Sequence, residues 1–255
     1  MKTVLITGCS SGFGLDIAKY FLNRDWSVVA TMRTPQQDIL PVFDKLRILK
    51  LDVTDAASIE QAVADAGPID VLVNNAGIGL LNALEGSPLA MARAIFETNT
   101  FGTMAMIQAV LPQFRERRAG MIINVTSSVT YRPLPLLSIY SASKAAVNAF
   151  TESLALELAP FNIDVRLVLP GAAPGTSFGK AAMGRLQGEG GFPEAYADYA
   201  RTVVASMQNM PGPLTQSADV AEAVWRAATD PSAPKRLPAG ADAVAEAAAG
   251  NVPMA

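Results

Sequence analysis

The stretch "SIYSASKAAVNAF" places Tyr140 and Lys144 four residues apart. On a helix that spacing puts both side chains on one face, within contact range. An ammonium beside a phenol favours the phenolate, so Lys144 is expected to lower the Tyr140 pKa from about 10 toward working pH. The pair would then serve as a general acid–base. The chain has no histidine, which removes Ser-His-Asp and Cys-His catalysis and the histidine-based zinc sites. Acid–base work falls to Tyr, Lys, Asp or Glu. The one cysteine, Cys9, has no second ligand to make a metal site and no partner for a disulfide, which suits a reducing, cytoplasmic compartment.

A second constellation stands near the N-terminus. "TGCSSGFG" at 7–14 holds Gly8, Gly12 and Gly14 directly after the apolar run "TVLI". Glycine costs roughly 0.5–1 kcal/mol relative to alanine inside a regular element. A sharp strand-to-helix turn, or a ligand that must approach the main chain, offsets that cost. Between a first strand and a first helix, such a loop exposes the N–H groups that bind a dinucleotide pyrophosphate. The spacing differs from the G-x-G-x-x-G fingerprint, so a tight turn without ligand stays open as an alternative.

These residues need elements to position them. Apolar, β-branched runs at 3–6, 27–31, 46–52, 69–77, 120–128, 163–171 and 236–240 read as strands. Helical patterns lie between them, with Leu15, Ala18, Phe21 and Leu22 on one face of the first. Further helices are expected at about 53–67, 88–117, 138–159 and 217–230, and a terminal one in "ADAVAEAAAGN". Thr54 or Asp55 can cap the second helix and Gly67 can end it. This alternation predicts an α/β fold, a doubly wound parallel sheet of about seven strands with helices on both faces. One domain over 1–255 is expected. Between 172 and 216 the pattern dissolves among glycines and prolines, which reads as a long irregular lid.

A net charge of −3 disfavours nucleic acid as a partner. The apolar stretches are interrupted, so no segment reads as membrane-spanning. Met104, Met106 and Trp225 read as core or interface residues.

The motifs, taken in order, resemble the short-chain dehydrogenase/reductase family in its single-domain Rossmann branch. The likeness runs from about 2 to 178, and more loosely to 240. "TGCSSGFG" matches TGxxxGxG, Asp52–Val53 the adenine-contacting DV, and "NNAG" at 74–77 the motif after strand four. Asn99 in "TNTFGT" matches the active-site asparagine. Ser127 stands 13 residues before Tyr140, at the spacing of the catalytic serine, and Pro170–Gly171 match the turn beside the nicotinamide. The runs "TGCSSGFGL", "VVATMR" and "NNAGIGLLNALEG" look especially like 17β-hydroxysteroid and retinol dehydrogenases.

The resemblance implies hydride transfer between a nicotinamide and a carbonyl or alcohol carbon. Tyr140 would donate or accept the proton, Lys144 would hold the ribose hydroxyls, and Ser127 would bind the substrate oxygen. Asn99 would hold a water that resupplies the proton. It implies cofactor contacts from Gly8, Ser10, Ser11, Gly12, Phe13, Gly14, Asp52, Val53, Ala76, Gly77, Pro170 and Gly171, beside Tyr140 and Lys144. Asn74 and Asn75 divide two tasks, one tying strands and the other facing the cofactor, the second assigned to Asn75. Asp52 either caps the adenine amino group or caps the next helix. The other readings are that Ser127 or Ser128 simply ends a strand and that Asn99 bends a helix. The family's PGxxxT appears as "PGAAPGTSF", with Thr176 one position late.

At the end of strand two, "ATMRTP" carries Arg33 and no carboxylate, so NADP(H) is expected over NAD(H), with Arg33 pairing the 2′-phosphate. A solvent-facing strand cap is the other reading of Arg33. The apolar segments 78–86 and 129–137 favour a hydrophobic small-molecule ketone or alcohol. A homodimer or homotetramer through the helices at about 90–115 and 138–159 is implied. A cofactor-sensing regulator, or a lyase or epimerase on the same fold, are the rival readings.

Overall fold

In the computed structural model, which describes residues 1–188 and 191–249, seven parallel strands form one sheet in the order β3-β2-β1-β4-β5-β6-β7. They are β1 (Thr3–Ile6), β2 (Ser27–Met32), β3 (Leu46–Lys50), β4 (Val71–Asn74), β5 (Gly120–Val125), β6 (Ile163–Pro170) and β7 (Arg236–Ala239). The helices are α1 (Gly12–Leu22), α2 (Ala56–Ala66), α3 (Leu89–Phe96), α4 (Gly102–Arg117), α5 (Ser138–Leu158), α6 (Ser177–Gly188), α7 (Ala197–Gln208), α8 (Ser217–Thr229) and α9 (Ala241–Ala249).

The central strands are apolar on both faces because both faces are covered. Val4 and Ile6 of β1 pack with α1 and α8, around Phe21, Trp26 and Val224. Leu5, between them, points to the other layer and packs with α2 and α4, around Ile59, Met106 and Phe114. The order reverses between β1 and β4, where the doubly wound fold opens a crevice at the strand C-termini.

The structure departs from the sequence reading in two places. The segment 172–216 is not irregular: α6 and α7 lie within it. Their periodicity is real, with Ala182 and Leu186 buried in α6 and Ala200 and Val203 in α7, but Gly179, Gly184 and Gly188 dilute it. These helices pack on Leu81, Ala83 and Leu136, a small apolar cluster separate from the main layers. The helix expected over 88–117 is interrupted by a π-helical turn at Glu97–Phe101 that contains Asn99. Such turns recur at functional sites. Asp55 caps α2, its side chain accepting from the N–H groups of Ala57 and Ser58, and Gly67 ends it at φ 66°.

Candidate active site

The site is built from loops that leave the C-terminal ends of β1, β4, β5 and β6. After β1, Gly8 and Gly12 take φ of 75° and 56°, the left-handed region where a side chain is strained. Gly14 is required for another reason. A Cβ there would stand 2.2 Å from the Gly8 carbonyl oxygen and 2.6 Å from Asn75 Nδ2. The first turn of α1 is therefore pressed against the loop, and its leading N–H groups are the unpaired ones of a helix start. Ser10 and Ser11 are exposed on that loop.

Thr7 ties this loop to "NNAG". Its hydroxyl oxygen accepts from Asn75 N at 3.0 Å and Ala76 N at 2.9 Å. Asn75 Nδ2 donates to the carbonyls of Thr7 and Gly8 at 2.9 and 3.1 Å. Both amide protons are thus spent on the glycine loop, leaving Asn75's Oδ1 as its group for any ligand. Asn74 faces the other way and donates to Asn124 Oδ1 at 2.9 Å, across β4 and β5. Asn124 in turn donates to Thr151 of α5 at 2.9 Å. Thr7 and Asn124 position the site although neither stood out in the sequence; Thr7 lay inside the glycine motif, while Asn124 read as strand.

Asp52 does not cap α2. Its Oδ1 accepts from Thr54 N and Oγ1 at 2.9 and 2.7 Å, and these bonds hold its carboxyl below the usual range. Val53 is buried against Gly102 at the start of α4. Arg33 is exposed at the end of β2, within electrostatic reach of Asp52 and of Arg185 on α6.

Ser127, Tyr140 and Lys144 are brought together and are all buried. Ser127 follows β5, Tyr140 lies in the first turn of α5, and Lys144 lies one turn on. Lys144 Nζ donates to Val125 O at 3.0 Å, and burial lowers its pKa from 10.5 to about 8. Tyr140 corrects the sequence expectation. Its pKa is pushed up to about 12, not lowered, because burial outweighs the help of the nearby Ser127 hydroxyl. The Phe178 ring of α6 covers it, with centroids 5.6 Å apart.

Asn99 reaches the same centre from the π turn. Its Oδ1 accepts from Ile78 N at 2.8 Å, and its Nδ2 donates to Ile78 O at 2.9 Å and Ser143 Oγ at 3.0 Å. Asn99 Oδ1 and Lys144 Nζ both flank the Cα of Gly77, 3.2 and 3.4 Å from where a Cβ would stand. Both Nδ2 protons of Asn99 are used, whereas Oδ1 keeps a second lone pair; its main-chain carbonyl accepts from Thr103 Oγ1 at 2.9 Å.

The turn after β6 is also close. Gly171 and Pro170 continue a strand whose Val168 carbonyl accepts from Thr126 N at 2.8 Å, beside Ser127. Thr176 Oγ1 donates to Ala173 O at 2.9 Å, and its side chain stands over Gly12. Ser11 and Ser177 hydroxyls are 2.9 Å apart, so the start of α6 rests on the glycine loop. Phe178 and Ala182 also fill the space over Gly79, where a Cβ would lie 2.7 Å from the Phe178 ring. Phe178 was not singled out by the sequence; no pattern pointed to it.

The chain that carries this site resembles known proteins in sequence and in fold. The short chain dehydrogenase family profile covers residues 2–183. The chain belongs to the short-chain dehydrogenase family. Retinol dehydrogenase 8 of Bos taurus is 41% identical over 184 residues, covering 67% of this chain and 58% of that protein. The chain therefore spans less than two thirds of that relative's length. A short-chain dehydrogenase from Streptomyces avermitilis superposes with TM-score 0.82 at 36% identity, covering 97% of this chain and 91% of that one. A serine dehydrogenase complexed with NADP+ gives TM-score 0.79 at 30% identity, covering 93% and 94%. Among the described residues, no helix is long and apolar enough to cross a membrane.

Proposed function

We propose that this member of the family is an NADP(H)-dependent oxidoreductase acting on a hydrophobic carbonyl or secondary alcohol. The observation that carries the reading is the burial of Ser127, Tyr140 and Lys144 in one cluster beside the glycine loop. The crevice suits a dinucleotide by its own chemistry. Gly8 and Gly12 open the backbone at the start of α1, whose N–H groups favour phosphate. Arg33 ends β2 where NAD-binding sites carry a carboxylate. The complex of the serine dehydrogenase with NADP+ supports a nicotinamide dinucleotide in such a crevice.

The nicotinamide supplies or accepts the hydride. Tyr140, a neutral phenol at neutral pH, gives its proton to the carbonyl oxygen as the carbon is reduced. Ser127 hydrogen-bonds that oxygen as charge develops. Lys144 keeps two N–H donors beyond the one on Val125 O, enough for a pair of ribose hydroxyls. Asn99 holds the water that restores the proton. Helices α6 and α7 act as the lid, and their apolar cluster with Leu81 and Leu136 makes the wall for a hydrophobic substrate. The single buried cysteine accords with a cytoplasmic setting.

The reading is tested by following oxidation of NADPH and NADH with a panel of aliphatic, aromatic and polar ketones. Turnover is expected with apolar ketones, and its absence with every carbonyl would remove the proposal. A charge-assisted contact from Arg33, at about 1.5–3 kcal/mol, predicts a roughly 10- to 100-fold preference for NADPH. Binding is best read from the fluorescence of the reduced nicotinamide. Trp26 and Trp225 pack together at 5.7 Å, and Trp26 precedes β2, at the opposite end from Arg33. Arg33→Ala with Met32→Asp should reverse the preference; tighter NADH binding by the unaltered protein would contradict it.

A further inference from the structure

A side chain at Gly171 would displace a residue of α9, Asp242. A Cβ at Gly171 would stand 2.3 Å from both carboxylate oxygens of Asp242. That carboxylate grips the turn after β6 directly. Its Oδ2 accepts from Ala172 N at 2.7 Å. Its Oδ1 accepts from Thr215 Oγ1 at 2.5 Å, and Thr215 Oγ1 accepts from Gly171 N at 3.1 Å. Thr215 has one hydroxyl proton and two acceptors in reach, the other being Ala239 O at 3.0 Å; the shorter, charged bond takes it. The Ala172 N–H is thus satisfied by Asp242, while the Gly171 N–H is shared between Thr215 Oγ1, itself bonded to Asp242, and Ala239 O at 3.2 Å.

One helical turn on, Glu246 lies on the same face of α9. Its Oε1 accepts from Arg132 Nε and Nη2 at 3.2 and 3.0 Å. Arg132 belongs to the loop that follows Ser127. The glutamate side chain is only 19% exposed, while Arg132 is half exposed, so the pair is held on the helix side. Ala243, between the two acids, is fully buried and fixes the helix against the body.

We propose that α9 is a clamp on both walls of the active site, with Asp242 the positioning residue for the turn beside the nicotinamide and Glu246 for the loop after the catalytic serine. The proposal rests on the oxidoreductase reading above. Two carboxylates spaced by one turn hold two loops that follow different strands, β6 and β5. Losing Asp242 leaves the Ala172 N–H without its acceptor and turns the Thr215 hydroxyl to Ala239 O, so the turn can shift. Small displacements at a reacting centre lower the rate of the chemical step more than they lower binding.

The test compares wild type, Asp242→Ala, Asp242→Asn and Glu246→Gln. Backbone amide exchange at 171–172, melting temperature, affinity for NADPH, kcat and ketone KM are measured on each. Asp242→Ala should speed exchange at 171–172 and lower kcat, each by about tenfold or more, with NADPH affinity kept within about threefold. Asp242→Asn, which keeps one oxygen acceptor, should fall between wild type and the alanine variant. Glu246→Gln should raise ketone KM with kcat within about twofold. Unchanged exchange at 171–172 in the Asp242 variants, or kcat within about twofold of wild type, would overturn the clamp. If Asp242→Ala does not fold, Asp242→Asn and Thr215→Val decide the same question. Wild-type protein with no turnover would defeat the oxidoreductase reading alone, since exchange at 171–172 judges the clamp without activity.

Discussion

At the residue scale, the buried lysine sets a pH signature. Burial lowers Lys144 from 10.5 to about 8, so in the free protein it loses its charge well before an exposed lysine would. The protonated form dominates below pH 8 and the neutral form above it. If the ammonium holds the ribose hydroxyls, kcat/KM for NADPH, which reports groups of the free enzyme, should fall above about pH 8. A profile flat to pH 10 would show that the charge on Lys144 is not needed for capture. Gly14 offers a second prediction. Alanine there meets the Gly8 carbonyl at 2.2 Å, so Gly14→Ala should destabilise the protein by about 1–3 kcal/mol and weaken NADPH binding. The shift of the denaturant midpoint and the loss of nicotinamide fluorescence would measure both.

At the scale of elements, most of the sheet was legible because doubly buried strands write themselves as short apolar runs such as "TVLI" and "IDVRLVLP". The glycine loop and the placing of Tyr140 and Lys144 one turn apart on a helix were legible from local spacing. The lid was not. Three glycines in α6 mask a helix whose packing comes from Leu81 and Leu136, far away in sequence. The π turn at Asn99 was hidden because a single extra residue leaves the apolar period nearly intact. The reversed shift of Tyr140 was also hidden, since Phe178, which covers it, lies on that unseen helix. These contacts define an element-scale prediction. Phe178→Ala removes the ring that covers Tyr140 and fills the space over Gly79, so amide exchange across 177–186 should rise and the protection gained on adding NADPH and ketone should shrink. Equal protection in the variant and wild type would show that α6 does not close through this contact.

At the scale of the whole molecule, the sheet gathers Gly8, Ser127, Lys144 and Gly171 at one edge from positions spread over most of the chain. The outer faces of α3–α5 carry large apolar side chains in solvent: Leu89 is 68% exposed, Phe101 52% and Leu156 79%. A dimer through these helices is the expected state, and Phe101→Asp should shift sedimentation toward the monomer; a monomeric wild-type protein would contradict that pairing. The central claim is that Tyr140 is the proton donor of a hydride transfer. The most direct measurement is single-turnover oxidation of NADPH by a ketone that the wild-type protein reduces, repeated with Tyr140→Phe. That change keeps the ring against Phe178 and removes only the hydroxyl. The variant should fold and bind NADPH as wild type does, with turnover reduced at least ~10²-fold. Turnover within about threefold of wild type would contradict the account.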